Sequence, residues 1–172
     1  MIITYDNKKS EEDILGKTPR LRLKTLSGKG AKNKLIHADN LSTLKTLLDD
    51  YSGKVDLVYI DPPFATNGHF KIGDERANTI SSSSDDQLAY SDTLLGADFL
   101  EFLRERLIFL RELMSGRGSI YLHIDYKIGH YVKLIMDEVF GIKNFRNDIT
   151  RIKCNPKNFQ RKAYGNTKDL IL

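Results

Sequence analysis

The chain has one cysteine, Cys154, and four histidines, His37, His69, His123 and His130, with no close spacing among them. A single thiol excludes a disulfide framework and a thiolate zinc cluster. The scattered histidines lack ligand spacing, so they read as packing or surface residues and no metal is expected. No stretch approaches the roughly 18 apolar residues that a membrane-spanning helix needs. The opening residues, MIITYDNKKSEED, lack the apolar run and cleavage site of a signal peptide. A cytoplasmic protein with no membrane partner is therefore expected. There is no internal repeat, and low complexity is confined to Ser81-Ser82-Ser83-Ser84.

What is present fits one ordinary globular domain: 172 residues, 40% hydrophobic and 29% charged. The net charge of +4 conceals an asymmetry. Residues 1–34 hold 9 Lys/Arg against 4 Asp/Glu, residues 35–140 hold 10 against 17, and residues 141–172 hold 8 against 2. Basic flanks around an acidic middle suggest that any polyanion touches the ends of the chain, because phosphate contacts need clustered cations; solvated surface charge explains the pattern as well.

Residues 1–33 show no steady apolar period and read as an irregular basic arm, with residues 34–172 as the domain proper. From Lys34 onward short apolar runs alternate with helical stripes, the pattern of an α/β domain with a doubly wound, mainly parallel sheet. Leu35–Ala38 reads as a short strand. A helix follows, capped by Asp39 or Asn40, with Leu41, Leu44, Leu47 and Leu48 on one face and a stop at Tyr51-Ser52-Gly53. Val55–Ile60 (VDLVYI) reads as a strand covered on both faces. Residues 61–96 have no sustained period and read as a long loop. Asp98 caps a helix striped by Leu100, Leu103, Leu107, Leu110 and Met114 and stopped by Gly116. Gly118–Ile124 reads as a strand, Asp125 as a cap, Lys127–Phe140 as a helix, and Leu170–Leu172 as the start of another strand. Tyr59 and Tyr121 read as packing residues.

The chemistry-bearing feature is Asp61-Pro62-Pro63-Phe64, directly after the strand ending in Ile60, at the edge where open α/β sheets bind ligands. Two prolines forbid helix and donate no N–H, which leaves outward carbonyls as acceptors. The Asp61 carboxylate and Pro62 carbonyl can take both hydrogens of an exocyclic amine, while Phe64 stacks on the ring that bears it. The bland alternative is a rigid turn that ends a strand.

At these residues the sequence resembles the amino-methyltransferases of DNA, whose signature is [D/N/S]-P-P-[Y/F/W] after a strand. LIHADNLSTLKTLL (35–48), residues 55–64, FLEFLRERLIFLREL (99–113), GSIYLHID (118–125) and MDEVFGIKNFRN (136–147) are similar, block by block, to the amino-terminal half of the permuted type. They are most similar to modification subunits of type III restriction systems. The resemblance implies the S-adenosylmethionine-dependent methyltransferase fold, with S-adenosylmethionine as cofactor and the amine of an adenine flipped from double-stranded DNA as methyl acceptor; the choice of adenine over cytosine rests on Asp before the prolines. It also implies a restriction subunit or a homodimer as partner. Asp61, Pro62, Pro63 and Phe64 would be catalytic. Asp39 and Asn40, with Asp61, would approach the cofactor, although Asp39 serves equally as a helix cap. In the basic run from residue 143 to 168, Arg151, Lys153, Lys157, Arg161 and Lys162 would line the DNA path, and a solvated linker remains the alternative.

The family's cofactor loop, Phe-x-Gly-x-Gly, occurs nowhere in these residues. In the permuted type it follows the recognition region, so the sheet is expected to be incomplete at its C-terminal end and the chain to be inactive alone. A catalytically silent fragment that only binds DNA or a partner chain is the alternative. Leu15-Gly16-Lys17-Thr18 ends like a nucleotide-triphosphatase phosphate loop, but Glu11 stands where that loop needs a glycine.

Overall fold

The computed structural model describes residues 2–28, 30–62, 69–72, 87–91, 96–152 and 168–172. Helix α1 (Glu11–Lys17) is capped by Ser10, whose side chain accepts from the Asp13 N–H, and three acidic residues in its first turn complement the helix dipole. Helix α2 (Asn40–Tyr51) leads through Gly53, at φ 67°, into strand β1 (Val55–Ile60). Strands β2 (His69–Ile72) and β3 (Gln87–Ser91) form an antiparallel pair. Helix α3 (Gly96–Leu113) runs straight into β4 (Met114–Asp125), and α4 (Tyr126–Phe140) follows Asp125, which caps it by accepting from the Lys127 N–H. A 3₁₀ turn (Ile142–Asn144) and strands β5 (Ile149–Ile152) and β6 (Lys168–Ile171) complete the order.

The main sheet has the order β1-β4-β6-β5. Strands β1 and β4 are parallel, whereas β4/β6 and β5/β6 are antiparallel. The sheet is mixed, which corrects the expectation of a mainly parallel one: β5 and β6 meet as an antiparallel pair, with no crossover helix described between them. A Cβ on Gly118 would sit 2.9 Å from the Val55 carbonyl oxygen, so the close approach of β4 to the start of β1 requires glycine there.

One face of this sheet carries the core. Leu122 and Ile124 pack with Phe99, Leu103, Leu107 and Ile108 of α3 and Val132, Ile135 and Val139 of α4, all at or below 7% exposure, and Val58 of β1 is buried as well. The other face of β1 is open, with Leu57 and Tyr59 at 63% and 60% exposure, so the expected burial on both faces is not met among the described residues. Tyr59 and Tyr121 are exposed on that open face and not packed. No helix among the described residues is long and apolar enough to cross a membrane.

Four further expectations are revised. Leu35–Ala38 forms no strand; Leu35 is fully exposed, and no ladder includes it. Helix α3 ends at Leu113, ahead of Gly116, because the Leu113 and Glu112 carbonyls accept from Lys54 and Gly53 N–H and Met114 already pairs with Val55. Asp98 lies in the first turn of α3 instead of capping it. The span 61–96 contains the β2/β3 pair, whose strands are too short to show a period; Ser81–Asp86 lies outside the described residues.

The amino-terminal arm is not irregular throughout. Ile14 of α1 is 2% exposed in the core, and Ile3 and Tyr5 pack against it. The Tyr5 hydroxyl donates to Glu101 at 2.6 Å, the Lys9 N–H donates to the same carboxylate at 3.1 Å, and Lys8 Nζ lies 2.7 Å from Glu138. Lys9 Nζ pairs with Glu105, and buried Arg104 donates to Glu101 at 2.9 Å. Basic charge that the sequence suggested for a polyanion thus binds the acidic helices of its own chain. Burial pushes the Glu101 carboxyl up, and hydrogen bonds from Arg104, Tyr5 and Lys9 outweigh it, holding the group below the usual carboxylate range.

Candidate active site

Strand β1 ends at Ile60, and Asp61 and Pro62 emerge at its carboxyl end, with the Asp61 side chain 57% exposed. In the parallel ladder Ile60 is the partner of Leu122. Asp61 and His123 are therefore the next residues out on neighbouring strands, and they meet: His123 Nδ1 lies 3.1 Å from Asp61 Oδ1. The imidazole is 8% exposed, and its Nε2 lies 3.5 Å from Asp169 Oδ2. Asp169 sits on β6 at 1% exposure, with Arg151 Nη1 of β5 at 3.3 Å. Asp61, His123, Asp169 and Arg151 thus form a row of alternating carboxylates and nitrogen bases across all four strands. Tyr59, Asp61, His123, Arg151 and Ile171 line a cavity of about 340 Å³ at this edge.

Of the residues that the sequence singled out, Asp61 and Arg151 share that cavity, although 90 positions separate them. Pro62 follows Asp61 outside any helix or strand. Pro63 and Phe64 lie outside the described residues, as do Lys153, Lys157, Arg161 and Lys162. Asp39 caps α2, its carboxylate accepting from the Ser42 N–H at 2.9 Å, and this bond holds its carboxyl below the usual range. Asn40 Oδ1 accepts from Arg106 Nε at 2.7 Å, and burial lowers the Arg106 pKa from the ordinary guanidinium value. Both residues are thus placed at the start of α2, on hydrogen bonds that hold the helix. Among the described residues no cluster of His, Cys, Asp or Glu could hold a metal ion.

The sequence reading missed His123. One signal was available: His123 stands one residue before the end of its strand's apolar run, as Asp61 stands one residue past the end of β1, so parallel pairing of the two strands would bring them together. Register is a property of the pair, and neither strand's sequence states it.

Comparison with known proteins bears on what this edge is for. A profile of the DNA methylase family matches residues 55–172. The type II methyltransferase M.EcaI of Enterobacter cloacae is 36% identical over 99% of this chain. The Mod subunits of the type III restriction-modification enzymes StyLTI, from Salmonella typhimurium, and EcoP15I, from Escherichia coli, are 30% and 35% identical over 81% and 70% of it. The chain spans 36% of M.EcaI and 23% and 21% of the two Mod subunits. The matched region runs from β1 through Asp61 to β6, and by that match the chain belongs to the DNA methylase family.

Proposed function

We propose that this chain carries the methyl-acceptor side of an S-adenosylmethionine-dependent DNA methyltransferase. Its target is the exocyclic amine of adenine, in a cytoplasmic restriction-modification system. The observation that carries the proposal is the Asp61 carboxylate at the carboxyl end of β1, followed by Pro62 and opening on a cavity.

An aromatic amine is a poor nucleophile because its lone pair is delocalised into the ring. Asp61 and the Pro62 carbonyl would accept its two hydrogens, drawing the nitrogen toward a tetrahedral geometry and releasing the pair for attack. Positioning and fixed charge suffice for such a step. Phe64 would stack on the extruded base, contributing about 1–3 kcal/mol against the cost of flipping.

The donor set fits a sulfonium cofactor. A carboxylate and an exposed aromatic ring, Asp61 and Tyr59, line one cavity and both attract a cation, although the Arg151 guanidinium in the same lining opposes them. Asp39 and Asn40 would hold the cofactor from the start of α2. S-adenosylmethionine, when bound, supplies an electrophilic methyl group. The chain's own part is to orient the amine and exclude water.

Double-stranded DNA is the proposed partner, with Arg151, Lys153, Lys157, Arg161 and Lys162 along its path. A restriction subunit is a further partner, and a homodimer the proposed assembly. The doubly wound fold is proposed for the protein encoded by the whole reading frame: Leu57, Tyr59 and Tyr121 leave one sheet face bare, and β1 is an edge strand among the described residues, so both could receive further elements. The absence of Phe-x-Gly-x-Gly from this sequence favours a second reading for the chain alone, a silent fragment that only binds DNA or a partner chain.

Labelled methyl transfer to duplex DNA tests these statements. The product of the whole reading frame should place label on adenine amines, and residues 1–172 alone should place none. Absence of label with the whole product would overturn the function, label on cytosine would overturn the base assignment, and transfer by residues 1–172 would overturn the assignment of a partial site.

A further inference from the structure

Resting on the methyltransferase reading above, we infer that His123 is a positioning residue that aims the Asp61 carboxylate at the target amine. Asp61 is mostly solvent-exposed, and a carboxylate on an exposed strand end rotates freely unless something holds it. His123 Nδ1 lies 3.1 Å from Oδ1 and is close enough to donate to it. That contact leaves the second oxygen, Oδ2, for an amine hydrogen.

The imidazole can do this because it is itself fixed. His123 lies on the central part of the sheet at 8% exposure, between β1 and β6. Its Nε2 faces Asp169 Oδ2 at 3.5 Å, and Asp169 is almost wholly buried and approached from β5 by Arg151. Asp169 is also the ladder partner of both Asp125 and Arg151, so the backbone of three strands sets its place. The ring is thus confined by its burial between the strands and by buried Asp169 behind it, and the near nitrogen sets the orientation of the acceptor. A catalytic group held by a fixed neighbour loses less freedom at the moment of reaction.

The geometry separates orientation from packing. In His123→Asn the side-chain amide nitrogen falls near the place of Nδ1, whereas in His123→Gln it falls near that of Nε2. His123→Leu fills the space with no donor. In the product of the whole reading frame, His123→Leu should lower kcat on the order of 10- to 100-fold while the KM values for S-adenosylmethionine and DNA stay near wild type. His123→Asn should recover most of the turnover and His123→Gln little of it. That order stands even if the Leu variant fails to fold.

Steady-state kinetics with thermal unfolding of each variant decide the matter. If Gln equals or exceeds Asn, or if the kcat losses follow the losses in Tm, the residue only fills space and the inference falls. Full activity of folded His123→Leu also overturns it. An inactive wild-type protein would overturn the methyltransferase reading and this inference with it, whereas an active wild type with any of the preceding results overturns the inference alone.

Discussion

Tyr59 and Tyr121 are ladder partners on parallel strands, and both rings stand in solvent on the face of the sheet opposite the core. Their neighbours Val58 and Leu122 point the other way, at 7% and 0% exposure. Truncating adjacent residues of β4 should therefore have very different costs. Leu122→Ala should destabilise the chain by about 2–5 kcal/mol, and Tyr121→Ala by less than about 1 kcal/mol. Denaturant unfolding of residues 1–172 measures both; equal losses would mean that the open face is covered.

Asp61→Ala in the product of the whole reading frame should lower methyl transfer on the order of 100-fold or more, because it removes one of two acceptors for the amine. The side chain is exposed and outside the core, so Tm and DNA affinity should change little. Turnover, calorimetry and a binding titration on one preparation check the three statements. Near-normal turnover would show that another group orients the base.

Phe64→Tyr should keep most activity, since the ring face survives, while Phe64→Ala should lose the stacking that offsets base extrusion. A mismatch opposite the target adenine makes flipping less costly, so it should partly rescue the Ala variant. Turnover on matched and mismatched duplexes measures the effect. An equal defect on both would assign Phe64 to the local fold.

Acid should loosen the amino-terminal arm before the rest of the domain. The hydrogen bond from Arg111 holds Glu11 below the usual carboxylate range, and Glu101 is held low in spite of its burial. A depressed folded pKa gives stability that is present above the unfolded value, about 4.3, and is lost as pH falls through the lower folded values. Hydrogen exchange across residues 3–17 should rise below about pH 4, earlier than across β4. In Arg111→Gln the share due to Glu11 should be missing already at pH 7. Simultaneous loss of protection in the arm and β4 would show that they unfold as one unit.

Most of the elements were legible because their signals are local. Asp39 and Asp125 are caps that accept from the N–H groups of Ser42 and Lys127, and the leucine stripe of α3 lies on the core. What escaped depends on distant partners. Helix α1 has seven residues, too few to show a period; it is held by Ile14 in the core and by Glu11 paired with Arg111 100 positions away, and the segment before it by Glu101 and Glu138. Apart from Asp56, strand β1 reads as apolar, yet its two faces differ, with Val58 buried and Leu57 and Tyr59 exposed. In the candidate site Asp61 was legible from the prolines behind it and Arg151 from the charge run, whereas the links through His123 and Asp169 exist only in the pairing of β1, β4, β6 and β5.

The arm also sets an order of events in time. The Ile3 N–H donates to Glu138 across 135 positions, and Lys8 reaches the same carboxylate. During synthesis at about 5–20 residues per second, those contacts must wait roughly 7–27 s after Ile3 is made. Until then Lys8 stands on the nascent chain without the carboxylate that it later pairs with. The contacts to Glu138 therefore close only after most of α4 has been made.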